Sequence, residues 1–144
     1  MRKVSVLMIV LLLVTGALFA QQGMWKDGTY TAQGNAFDHG YKNSVRIVVE
    51  NGYITDVHFD AIAEKGGKTK YVLSTQGEYG MLEKGNAQAA WYEQADRAAA
   101  YLVKVQDPAQ LTRSNSAVDA ISGVSIDVGP QFELSAKALA NARR

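Results

Sequence analysis

Residues Asp119-Ala120-Ile121-Ser122-Gly123-Val124-Ser125-Ile126-Asp127 gather two hydroxyls around a glycine, just before a segment with helix-start signals. A helix N-terminus presents N–H groups without intrahelical partners and the positive end of the macrodipole, so it suits a phosphate or another anion. Gly123 lets the backbone come close to a ligand, and Ser125 sets a hydroxyl beside that anion site. The same residues also make an ordinary Ser/Asp-capped turn, and position alone favours that simpler role. Gly123-Val124-Ser125-Ile126 partly imitates a nucleophile elbow. Asp127 stands where the second glycine is needed, however, and no α/β strand pattern precedes it, which speaks against a serine hydrolase.

Other chemistry-bearing residues are fewer. Tyr79-Gly80-Met81 offers an aromatic ring and a soft thioether, suited to a flat apolar ligand and equally to a plain turn. Trp91 suits the same ligand, but its place on a helical stripe favours core packing. Lys65, Lys68 and Lys70 form a basic cluster beside two glycines, for which a solvated loop is the default. His39 and His58 are the only histidines, neither has a metal-ligand spacing, and no metal site is expected. The glycines match neither a P-loop nor a dinucleotide fingerprint.

The elements that must hold these residues read as strands first and helices later. Asp27-Gly28 is a turn signal, and Thr29 to Ala32 is a short strand-like run. Gly34 to Gly40 reads as a loop. Val45, Ile47 and Val49 alternate with Arg46, Val48 and Glu50, and Asn51-Gly52 then marks a two-residue type I′ hairpin. After it Thr55, Val57, Phe59 and Ala61 are expected on one face, with Asp56, His58 and Asp60 on the other. Glu64 to Met81 reads as loop with a helical turn near Tyr71 to Ser74. A helix is expected from about Asn86 to Gln106, with Trp91, Ala95, Ala98, Leu102 and Val105 as its buried stripe and Asp107-Pro108 as its stop. A second is expected from Gly129 to the C-terminus, striped by Phe132, Ala136 and Leu139, capped by Asp127 and started by Pro130. Arg143 and Arg144 would close its dipole. The sum is an α+β fold: a small antiparallel sheet with a central hairpin, packed against two main helices.

Composition bounds what such a domain can be. The 144 residues amount to one domain with a short appendage. The absence of cysteine excludes disulfide scaffolds, thiolate metal and iron–sulfur sites, cysteine nucleophiles and lipobox anchoring. A net charge of +1 gives no reason to expect nucleic acid as a partner. Arg2 and Lys3, the apolar run Val6 to Val14 and the small residue Ala20 have the layout of a signal peptide over residues 1–20, leaving a single domain over 21–144. The competing role is an uncleaved anchor, since Val4 to Ala20 approaches the roughly 17-residue lower limit of a span. Either way the domain is expected to be exported, at the periplasmic or extracellular face of the membrane.

The Asp119 to Ser125 stretch resembles the flavin-attachment motif of the FMN-binding domain family, approximately Asp-(Gly/Ala)-x-Ser-Gly-Ala-(Thr/Ser). Asp119, Ala120, Ser122, Gly123 and Ser125 match it position by position. Val124 replaces the usual Ala, and Ser125 the commoner Thr. Serine keeps the hydroxyl, whereas valine is bulkier and β-branched beside it. Asp27-Gly28-Thr29-Tyr30 resembles the family's opening strand, and Val45 to Ile54 its central hairpin, continued by Asp56-Val57. Lys70, Ser74, Tyr79-Gly80-Met81 and Trp91-Tyr92-Glu93-Gln94-Ala95 resemble a subgroup of small exported members, some described as major membrane immunogens.

The resemblance implies that a separate flavin transferase takes FMN from FAD and esterifies its phosphate to Ser125. Asp119, Ser122, Gly123 and Val124 would then serve recognition and the turn, and Met81 would lie near the ring. The protein would be a redox carrier between membrane or extracytosolic partners rather than a stand-alone enzyme. Two alternatives stay open: an exported binding or surface-antigen protein of the same fold without covalent flavin, and noncovalent FMN binding.

Overall fold

The computed structural model describes residues 23–112 and 121–144. The leader over 1–20, Asp119 and Ala120 lie outside the described residues. Three strands form one antiparallel sheet in the order β1 (Gly28–Gln33), β2 (Tyr41–Glu50), β3 (Tyr53–Ala63). Helices α1 (Lys70–Thr75), α2 (Met81–Gly85), α3 (Trp91–Val105), α4 (Ala109–Thr112) and α5 (Gly129–Ala138) follow. α3 packs on β3 and α5 on β1 and β2, so the expected α+β architecture is present. No helix among the described residues is long and apolar enough to cross a membrane.

The alternating residues of β2 make the core face. Val45, Ile47 and Val49 are all buried. Across the hairpin, Asn51 and Gly52 both take positive φ, 53° and 83°, as a type I′ turn requires. One expectation fails here. Thr55 is exposed, and Ile54 is buried in its place. The pairing slips between Val48 and Val49, so that Val49 faces Ile54 while Val48 faces Asp56. Thr55 is the extra residue of this β-bulge, and one extra residue exchanges the faces of a strand. Val57, Phe59 and Ala61 then point inward as expected.

α3 buries Trp91, Ala95, Ala98 and Leu102, the stripe that the spacing predicts, while Val105 is only half-buried. It starts later than Asn86. Ala90 is its N-cap, and the Ala90 N–H donates to Glu93 Oε2 at 2.8 Å. α5 turns Phe132 onto the sheet, its ring 5.7 Å from that of Phe59. Buried Gln131 and Ser135 join its inner face, while Ala136 is half-buried.

α5 also stops sooner than expected, at Ala138. Arg143 and Arg144 therefore do not close its dipole. Arg143 bridges Trp25, the Arg144 N–H donates to Met24 O at 3.1 Å, and its guanidinium meets Asp27 at 3.0 Å. Asp27 also accepts the N–H groups of Asn51 (3.0 Å) and Gly52 (2.8 Å). One carboxylate thus clamps the hairpin turn and the C-terminal residue together.

The Gly52 N–H, opposed by partial desolvation and aided by the Asn51 N–H and Arg144, holds the Asp27 carboxyl below its ordinary value of 3.8. The unfolded chain therefore takes up a proton at pH values where the native state still refuses it. The clamp's contribution is complete above pH 3.8 and is lost as pH falls through the lower native value. Asp27→Asn is expected to flatten the fall of the urea midpoint over that acid window, and to lower the midpoint at neutral pH, where the wild-type carboxylate is charged.

Candidate functional site

The motif loop lies between α4 and α5 and is held by α3. Gln94, 1% exposed, points its amide oxygen at the loop. It accepts the N–H groups of Ser125 (2.7 Å) and Ile126 (3.1 Å) and the Ser125 hydroxyl (3.2 Å). Its amide nitrogen donates to Ala89 O at 3.0 Å. A carbonyl oxygen has two lone pairs, and the two backbone groups suffice for them. The hydroxyl is the third and longest of the donors. Ser125 itself is exposed.

Gly123 has φ +77°, a left-handed conformation that glycine adopts without strain. Arg97 lies across this turn, Nη1 donating to Gly123 O at 2.7 Å. A Cβ at position 123 would come within 2.7 Å of that same nitrogen, so a side chain there would displace the Arg97 guanidinium from the turn. Val124 is 3% exposed and belongs to the core with Ile121. Its bulk is accommodated by the core. Ser122 is exposed.

The anion site expected at the N-terminus of α5 is reduced. Val128 rather than Asp127 is the N-cap, without a side-chain cap bond. Asp127 Oδ1 accepts the Gly129 N–H at 2.9 Å, and Pro130 has no N–H to offer. Arg97 is the cation at the loop instead, a residue that sequence reasoning missed.

Beyond Ser125 the chain enters a cleft of about 410 Å³. Ile126, Asp127, Pro130 and Gln131 line one side of it, and Asp38, Tyr41 and Asn43 another. Lys70, Tyr79, Met81 and Trp91 complete the lining. Ile126 and Asp127 thus meet Tyr79, Met81 and Trp91, scattered in sequence, at one place, whereas Ser122, Gly123, Val124 and Ser125 do not line it. Trp91 serves the core and the cleft at once, being 5% exposed.

Lys70 comes from α1, which is fixed on several sides. Thr69 caps it, its Oγ1 accepting the Val72 N–H at 3.3 Å. Asp60 Oδ1 accepts the N–H groups of Tyr71 (3.0 Å) and Ala61 (2.7 Å). Burial pushes the Asp60 carboxyl up, but bonds from His58, Tyr71, Thr69 and Ala61 outweigh it and leave the group below its usual range. The Tyr71 ring meets His58 at 4.7 Å and its hydroxyl donates to Asp96 at 3.0 Å. Lys65 is exposed, and so is Lys68, which pairs with Glu78 at 2.7 Å. Of the basic cluster, Lys70 alone lines this cleft.

Gln94→Ala removes the acceptor of two loop N–H groups together with a buried side chain. A loss of about 3 kcal/mol is expected from the unmade hydrogen bonds and the cavity, read as a lower urea midpoint. Amide exchange should rise at Ser125 and Ile126 in particular.

A three-stranded antiparallel sheet covered by α3 and α5, with a loop-and-cleft site at their ends, defines the class. No family model matches the chain, and no curated protein does. Among solved structures it is similar to a Clostridium thermocellum protein determined by NMR in solution. That protein is 46% identical over 81% of this chain and 91% of its own, with a TM-score of 0.61. A Clostridium perfringens protein known from a crystal structure is 25% identical over 83% and 89%, also with a TM-score of 0.61. At 46% identity the chain belongs to one family with the Clostridium thermocellum protein.

Proposed function

We propose that the chain is an exported FMN-binding domain that carries electrons, its FMN joined through the phosphate to Ser125 by a separate flavin transferase. The observation that supports this most is the placement of Ser125. Its hydroxyl is exposed and is the longest of the three donors on Gln94, and the next two residues line a cleft of aromatic and thioether side chains.

Attachment forms a bond from Ser125 Oγ to the phosphorus of FMN. The P–O bond joining the FMN and AMP halves of FAD breaks, AMP leaves, and the hydroxyl proton passes to a base of the transferase. Gln94 would lose its weakest contact and keep both backbone donors, so the loop stays in place. Arg97 supplies positive charge against the phosphate. Tyr41, Tyr79, Met81 and Trp91 offer aromatic and apolar lining that keeps water from a ring. Bound FMN supplies reversible electron uptake, and the protein supplies its placement.

The noncovalent alternative draws on one observation: the Ser125 hydroxyl already has Gln94 as a structural partner. Co-expression with a flavin transferase separates the two. Intact mass should rise by FMN less water, and flavin fluorescence should persist in a denaturing gel. Flavin that copurifies but is lost on denaturation would establish the noncovalent form. An unmodified, flavin-free chain beside an active transferase would leave the binding or surface-antigen alternative.

A further inference from the structure

Two polar groups of the cleft lack a hydrogen-bond partner among the described residues. Gln131 is 3% exposed, and its Nε2 donates to Asn43 Oδ1 at 3.2 Å. Its Oε1 is buried and accepts nothing. Such an acceptor is costly to leave unmade and rare in native interiors. On the same cleft, Lys70 Nζ lies 4.5 Å from the ring centre of Tyr41, 5.3 Å from Tyr79 and 5.6 Å from Trp91. No ion pair or hydrogen bond to it is present among the described residues. Burial pulls its ammonium below the ordinary 10.5, against a smaller opposing pull from Asp38. The site therefore holds a half-buried cation among aromatic faces and a buried carbonyl oxygen without a donor.

A ligand that satisfies both must carry an electron-rich oxygen for Lys70 and an N–H for Gln131 Oε1, and the aromatic lining suits a flat ring. We propose that this cleft reads an imide edge, –CO–NH–CO–, of a conjugated ring: Gln131 Oε1 accepts the ring N–H, and Lys70 meets a flanking carbonyl oxygen. The inference rests on the flavin reading above, because the pyrimidine end of the isoalloxazine bears such an edge. It goes further by assigning Gln131 and Lys70 as binding residues for that end of the ring. Lys70 would also favour the ring when reduction adds negative charge to it.

Full-length Ser125→Ala protein removes attachment from the test. Its titration with riboflavin, which has no phosphate, is followed by quenching of flavin fluorescence. N3-methylriboflavin, whose imide N–H is blocked, is expected to bind about tenfold more weakly, the factor an ordinary hydrogen bond is worth. That difference should vanish in Gln131→Met. Lys70→Met should weaken riboflavin about tenfold while Lys70→Arg keeps most of the affinity. In chain loaded at Ser125, Lys70→Met should lower the midpoint potential. Equal binding of riboflavin and its N3-methyl form overturns the proposal, as does unchanged affinity in Lys70→Met or no riboflavin binding. The ligand comparison needs no variant at position 131, so a misfolded Gln131→Met does not remove the test. Attachment is read separately, by mass on the Ser125 chain. Attachment without riboflavin binding sinks the imide edge alone, and binding without attachment sinks the covalent link alone.

Discussion

Ser125→Ala is expected to stay at its unmodified mass when co-expressed with a transferase that loads the parent chain, a complete rather than a graded loss. The oxygen that would enter the phosphoester is gone, and no neighbour replaces it. Ser122 is exposed, but Gln94 contacts Ser125 and Ile126 and so holds the later hydroxyl. Ser125→Thr keeps the oxygen and should be modified. Val124→Ala should be modified as well as the parent, because Val124 is a core residue; its effect should be on stability, about 2 kcal/mol for a buried branched side chain. Modified Ser125→Ala would refute Ser125 as the attachment site. Poor modification of the parent relieved by Val124→Ala would show that the valine hinders the transferase.

The largest loss of stability is expected at Gly52. Its φ of +83° is the left-handed region, and an added Cβ would stand 2.7 Å from Gly23 Cα. Two penalties combine: the strain of a side chain in that region, about 1–2 kcal/mol, and overpacking against main chain, about 1–3 kcal/mol. Gly52→Ala should therefore cost about 2–5 kcal/mol, or roughly 8–18 °C in Tm for a domain of this size. Gly40 provides the comparison. Its φ is +80°, yet a Cβ there meets nothing within 4 Å, so Gly40→Ala should cost only about 1–2 kcal/mol, from strain alone. Gly23→Ala tests the contact from the other side, since its Cβ would fall 2.2 Å from the Gly52 carbonyl. Equal melting points for Gly52→Ala and Gly40→Ala would remove the close approach as the cause.

How much of this was legible depends on whether the signal was local. The hairpin was, because alternation and Asn51-Gly52 are properties of neighbouring residues. The bulge at Val48/Val49 was not; it depends on what the strand packs against, and it shifted Thr55 off the core face. The α3 stripe was readable by spacing, although Gln94 was not singled out. It falls three residues after Trp91 and four before Ala98, and a polar residue inside an apolar stripe is a signal that it binds something. Arg97 gave no such warning, since a lone basic residue on a helix is ordinary. Lys70 stood out only as one of a basic cluster, whose other two members stay in solvent. The C-terminal arginines misled because a helix end is only one of the places a cation finds a partner. The cleft itself joins residues from 38 to 131, and no single stretch announces it.

The Asp27 clamp also fixes directions. Gly23 and the last residues gather at the Asn51-Gly52 end of β2, whereas Tyr41 and Asn43, at its other end, face the cleft. Ten residues of strand separate these ends by roughly 30 Å. Gly23, the first described residue, therefore lies at the pole opposite the cleft. A label fused after Arg144 would leave the cleft open to whatever binds there.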